Sequence, residues 1–267
     1  MKQAQDFRDE HEALYLFVDS LDEQELYQPT QYQRWTTEDI ILHLHHLNLA
    51  VECSLEGESL FQEKYALPML RCMEQGMSML EAQKQSMPSP RGRALIDIWR
   101  EEGLRIANKC AQLPMKTRLS WFGPPMSIRS AMTARQMETW AHGQAIYDRC
   151  GVHREEHERL QNIARFGVLT IPFAFQNRGE TPPPHRIYVS LRSPKGELWE
   201  WNSPDSPDVV EGSAVDFCRL VTQTRHLQDT QLAVKGDFAK RWGQIAQCFA
   251  GPPIDPPVPG TRFCQES

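Results

Sequence analysis

Trp35-Thr36-Thr37-Glu38-Asp39-Ile40-Ile41-Leu42-His43-Leu44-His45-His46 begins as a helix begins and carries its histidines on more than one face. Thr36 and Thr37 are N-cap candidates, because a hydroxyl there accepts hydrogen bonds from backbone N–H groups that the first turn leaves unpaired. Glu38 and Asp39 set negative charge against the positive end of the helix. The apolar run continues towards Glu56, where Gly57 interrupts it. At about 100° per residue, His45 points nearly opposite to His43, while His46 stands within about 60° of it. The imidazoles therefore do not all converge on one centre.

The flanking sequence reads as further helices up to Cys150. Phe7, Leu14, Val18 and Leu21 recur at helical spacing between Gln3 and Leu21. A helical stretch between Glu58 and Lys84 is expected to break or kink at Pro68, whose ring lacks an N–H and crowds the preceding turn. Ser86-Met87-Pro88-Ser89-Pro90 is a loop, and Arg91 to Leu113 is helical again, with Leu95, Ile98, Trp99, Leu104 and Ile106 for packing. The loop Trp121-Phe122-Gly123-Pro124-Pro125 leads to Ser127, a cap candidate, and a last helix runs to Cys150, stopped by Gly151. Four long helices of this kind make a bundle.

Beyond residue 165 the pattern changes. Phe173-Ala174-Phe175, Ile187-Tyr188-Val189-Ser190-Leu191, Leu198-Trp199-Glu200-Trp201, Val209-Val210-Glu211-Gly212 and Leu232-Ala233-Val234-Lys235-Gly236 read as short strands. Ser213 to Thr222 and Phe238 to Phe249 read as helices, and the Pro-rich tail from Gly251 to Gly260 as a surface segment. The expected architecture is mixed: an all-α four-helix bundle over residues 1–152, then an α+β domain over residues 153–267.

Composition narrows the function classes. The formal net charge of -6 argues against a nucleic-acid-binding surface. No segment approaches the uninterrupted apolar run of roughly 20 residues that a membrane span needs. The charged N-terminus lacks a signal-peptide core, so a cytoplasmic enzyme or binding protein is expected, a monomer or homodimer acting on a small molecule. The 7 cysteines are scattered, with no CxxC pair, and indicate neither a zinc knuckle nor a disulfide framework. They read as small core residues, with Cys264 the most exposed.

Far from the first histidines, Glu138 and His142 stand i, i+4 on the last helix and project from one face. Two ligands from one helix and a third from a facing helix is how bundle-core metal sites are built, and three protein ligands leave positions open for water or substrate. The same spacing also suits an exposed side-chain pair, and a histidine on an apolar face also suits a hydrogen-bonded core position. Arg129 and Arg135 flank this helix, each placed either to clamp a substrate carboxylate or to form a surface ion pair. His46 reads as an acid/base group, a neighbour of a ligand, or a structural histidine. Trp121 and Phe122 read as core packing or as a pocket mouth.

Two segments carry a family likeness. Trp35-Thr36-Thr37-Glu38-Asp39-Ile40-Ile41-Leu42-His43-Leu44 resembles the W-[ST]-x-x-D-[IV]-x-x-H-[LI] signature of the DinB-like superfamily, and Arg135-Gln136-Met137-Glu138-Thr139-Trp140-Ala141-His142 resembles the R-x-x-E-x-W-x-H motif of the mycothiol-dependent maleylpyruvate isomerase family. The resemblance implies that His43, Glu138 and His142 bind a divalent metal, zinc first and Ni2+, Fe2+, Co2+ or Mn2+ as alternatives. It implies a metal-dependent isomerase or transferase that uses a low-molecular-weight thiol, and it favours Arg135, which lies in the motif, beside His46 and Arg129 as the catalytic candidates the residues offer. Val209 to Cys218 and Leu232 to Asp237 resemble the C-terminal domain of these proteins, which is sterol-carrier-like. The chain departs from related ones at Asn48 and Ala145, where they often carry Asp. A thiol-independent Lewis-acid enzyme and a non-catalytic ligand-binding protein are the other readings the residues allow.

Overall fold

The computed structural model describes residues 1–122 and 125–265; Gly123 and Pro124, in the loop expected before the last bundle helix, lie outside them. The chain divides into two compact units, Met1–Ile146 and Tyr147–Ser267, and the division falls within a helix. No helix among the described residues is long and apolar enough to cross a membrane.

The first unit is helical. Its long elements are α1 (Lys2–Asp19), α2 (Thr37–Glu56), α6 (Gly92–Gln112) and α7 (Ile128–Arg149), with α3 (Glu58–Phe61), α4 (Leu67–Glu74) and α5 (Met79–Ser86) between α2 and α6. A two-stranded ribbon, β1 (Arg118–Leu119) with β2 (Met126–Ser127), precedes α7. The start of α2 is a capping box: Thr36 Oγ1 accepts from the Asp39 N–H at 3.1 Å, and the Asp39 carboxylate accepts from the Thr36 N–H at 3.0 Å. Glu38 in the same turn accepts from the Gly92 N–H at 2.8 Å and pairs with Arg91, so one helix start pins the next. Phe7, Leu14, Val18, Leu95, Trp99 and Ile106 are fully enclosed, each such side chain contributing about 1.5–3 kcal/mol of burial. Ile98, expected in this core, is instead 41% exposed. The buried stripe of α6 runs through Leu95, Trp99, Glu102 and Ile106, and Ile98 lies beside it on the solvent face.

Pro68 does not break its helix. A widened π turn, Gln62–Ala66, precedes it, with the Leu67 N–H reaching back to the Gln62 carbonyl. The wider turn opens space where a proline ring would otherwise meet the preceding carbonyls. It also carries Tyr65 into the bundle interior.

His11 of α1 is sealed against Trp99, ring centroids 4.1 Å apart, with Nε2 3.2 Å from the Arg100 carbonyl oxygen. Gly103 provides the room, since a Cβ there would lie 2.2 Å from His11 Nε2. Burial pulls the His11 pKa from 6.5 down to about 4. The unfolded chain therefore takes up a proton below 6.5 that the folded chain refuses until about 4. Stability is expected to fall as pH drops through that window, by about 2 kcal/mol at pH 5. Melting temperatures of wild type and His11→Gln measured between pH 7 and 4 check this; equal slopes would contradict it.

The second unit is α+β. Strands β3 (Tyr188–Arg192), β4 (Leu198–Trp201), β5 (Val209–Ser213) and β6 (Ala233–Lys235) form a sheet of order β4-β3-β5-β6. β3 runs antiparallel to β4 and parallel to β5, and β5 is antiparallel to β6. Around it lie α8 (Leu160–Leu169), α9 (Ile171–Gln176), α10 (Ala214–Val221) and α11 (Asp237–Ile245). Phe173-Ala174-Phe175, expected as a strand, lies inside α9. Its buried residues Ile171, Ala174 and Phe175 follow helical spacing, with Pro172 in the first turn. α10 starts where Ser213 Oγ accepts from the Asp216 N–H at 3.0 Å. All seven cysteines are free, and Cys264 is half-buried rather than exposed.

Candidate metal centre

α2 supplies His43, and α7 supplies Glu138 and His142 one turn apart. His43 Nε2 lies 3.8 Å and His142 Nε2 3.2 Å from Glu138 Oε2. One ligand atom from each of the three residues falls within 4.8 Å of the other two, the one such grouping found among the described residues. The two imidazole centroids are 4.7 Å apart. The other two histidines of α2 are turned elsewhere: His45 Nδ1 sits 2.7 Å from the buried Glu102 carboxylate, and His46 Nε2 is 3.5 Å from Ser89 Oγ.

The surroundings favour a ligand set. His43 Nδ1 is 3.1 Å from Gln83 Oε1, so the Nδ1–H donates to the amide oxygen and the ring is held with Nε2 towards Glu138. Burial pushes the Glu138 carboxyl up, but hydrogen bonding to His142 and His43 and the charges of His142 and Arg135 outweigh it and hold the group well below the usual range. Burial pulls the His142 imidazole pKa down further than Glu138 lifts it. A carboxylate and two imidazoles meeting at one point suit a borderline divalent cation, and this donor set fits zinc and its neighbours.

Aromatic rings hold the imidazoles in place. Trp35 stacks on His142 at 5.8 Å with an interplanar angle of 6°, and its centroid is 5.2 Å from that of His43. Tyr32 meets His142 edge-on at 5.0 Å. Both rings come from a tight turn in which the Trp35 N–H donates to the Tyr32 carbonyl at 2.8 Å, and Gln33 and Arg34 take left-handed backbone at φ 48° and 59°. Such conformations cost free energy in a non-glycine residue and persist where packing repays them.

Residues 7–147 match the family described as mycothiol maleylpyruvate isomerase N-terminal domain. The chain belongs to this family. A protein of Mycobacterium tuberculosis described as uncharacterized, found in two strains, is 46% identical over 159 residues, which is 60% of this chain and 62% of its own length. The match thus spans under two thirds of that relative. Solved structures of mycothiol-dependent maleylpyruvate isomerase and of a mutant of it superpose with a TM-score of 0.52 at 14% identity, over 82% of this chain and 87% of theirs. That likeness is one of fold.

Within this maleylpyruvate isomerase-type domain the other sequence candidates separate. Arg135 is buried, 3% exposed, on the face of α7 that carries Glu138 and His142. Arg129 is exposed and stands about 180° around the helix from Glu138, so it faces away from the centre. His46 is fully enclosed, and burial, then the charges of His45 and His43, pull its pKa down to about 3. A neutral, enclosed ring with no solvent contact is not placed for acid/base exchange. Trp121 and Phe122 pack on Phe61 at 6.1 and 5.7 Å, with Phe122 44% exposed. In the second unit Arg225 is committed to a bidentate pair with Asp148, and His226 caps a short 3-10 turn by accepting from the Gln228 N–H. Gln83, Tyr65 and the stacking role of Trp35 carried no sequence signal of their own, because each depends on which helices face one another.

Proposed function

We propose that this protein is a metal-dependent enzyme of isomerase or S-transferase type that acts on a small organic substrate with the help of a low-molecular-weight thiol, in the cytoplasm. The observation that carries this reading is the convergence of one ligand atom each from His43, Glu138 and His142, with His43 oriented by Gln83. His43, Glu138 and His142 would hold the cation, zinc first. When bound, it lowers the pKa of a thiol or polarises a carbonyl. Gln83 keeps the His43 proton on Nδ1, while Trp35 and Tyr32 fix the ring planes and shield one side of the centre from water. Membership in the maleylpyruvate isomerase N-terminal family and the fold likeness to the mycothiol-dependent enzyme support a thiol-assisted reaction.

The test is thiol dependence. Purified protein loaded with zinc is assayed on 2-oxo acid and cis-unsaturated acid substrates with mycothiol, with glutathione and without thiol. Turnover is expected to need a thiol and to vanish with chelator. Undiminished turnover without thiol would move the assignment to thiol-independent Lewis-acid catalysis, and zinc binding without turnover to a ligand-binding protein.

A further inference from the structure

One turn before Glu138 on α7, the Arg135 guanidinium is enclosed in the bundle yet makes no hydrogen bond or ion pair with any described residue. Its Cζ lies 5.9 Å from the Trp121 ring centroid, and its charge is felt by Glu138 and Tyr65. A buried cation left without a hydrogen-bonded partner is strongly disfavoured, and such a group calls for an explanation beyond packing. One further donor nearby lacks a partner of good hydrogen-bond geometry. Gln83 Nε2 is buried without a hydrogen-bond partner, its Oε1 being taken by His43. The Tyr65 hydroxyl is buried beside the Gln83 amide, close enough to hydrogen-bond with it. Tyr65 owes its place to the π turn Gln62–Ala66, a distortion that is frequent at functional sites.

We propose that Arg135, Tyr65 and the Gln83 amide form an oxyanion subsite that binds a carboxylate group of the substrate next to the metal centre. The proposal builds on the metal-centre reading, which fixes where the other end of the substrate goes. A guanidinium offers parallel N–H groups that match the two oxygens of a carboxylate. Burial keeps the Tyr65 phenol protonated, so its O–H is available to donate. A single positive charge matches a monoanion better than a phosphate dianion. The aromatic wall of Phe61, Trp121 and Phe122 leaves the adjoining surface apolar, which suits a short hydrocarbon chain behind the carboxylate.

The experiment titrates propionate, propionamide and inorganic phosphate by calorimetry into the full chain, zinc-loaded and chelator-treated. Wild type is expected to bind propionate saturably and more tightly than propionamide or phosphate. Arg135→Gln is expected to weaken propionate by about tenfold or more and Tyr65→Phe by less, with Arg135→Lys between them. Zinc stoichiometry should stay at the wild-type value in each. Propionate binding unchanged in Arg135→Gln, or phosphate or propionamide binding as tightly as propionate, would overturn the subsite. Failure of the metal reading shows separately, as absent zinc in wild type, while the chelator-treated titration still reads Arg135.

Discussion

Alanine in place of His43 is expected to lower divalent-metal affinity by more than the 10- to 100-fold, roughly, that loss of an outer-shell partner alone costs. His43 is the one member of the triad supplied by α2; without it, Glu138 and His142 remain as a pair on a single helix. The variant also removes the donor to Gln83 Oε1, so a second buried polar atom loses its partner. Elemental analysis after gel filtration and competition against a chromogenic chelator measure the effect, with Arg129→Ala as an exposed control that should bind metal normally. Wild-type metal content in the His43 variant would remove the basis of the proposed function.

The second large effect belongs to the Asp148–Arg225 pair. Both Arg225 Nη atoms donate to the Asp148 carboxylate, at 2.8 and 2.7 Å, and the side chains are only 9% and 4% exposed. Removing one partner of a buried pair strands the other charge and costs about 3–5 kcal/mol, whereas replacing both with apolar residues of similar volume is often neutral or stabilising. Arg225→Met is therefore expected to destabilise the protein by that amount, and the double variant with Asp148→Leu to recover most of it. Urea denaturation of the three proteins checks this. A single-variant loss below about 1 kcal/mol would show that the pair is effectively solvated.

How much of this was legible in the sequence varied with the range of the interaction that decided it. The start of α2 could be read because a capping box spans only four residues, and Thr36 and Asp39 form it as their positions suggest. The face shared by Glu138 and His142 followed from helical spacing, and the family motif brought in His43. The helix α9 was misread because Phe173-Ala174-Phe175 alternates over too few residues to separate a strand from a helix. The neighbouring α8 buries Leu160, Ile163, Ala164, Gly167 and Val168, a helical spacing that was available in the sequence and would have corrected the reading. The π turn before Pro68, the Gln83 partner of His43 and the enclosure of Arg135 were out of reach. Each is set by contacts between helices far apart in the chain, which no local pattern encodes.

His43 and Glu138 are separated by most of the first unit, yet their side chains end 3.8 Å apart. A cation held between them acts as a reversible crosslink: it closes a loop of about 95 residues and removes the chain entropy that an open loop of that length keeps when the protein unfolds. The gain depends on free metal concentration, because only the folded chain presents the complete ligand set. On the proposed metal reading, the melting temperature of the bundle is expected to rise with metal supply and fall under chelation, whether or not any substrate is present.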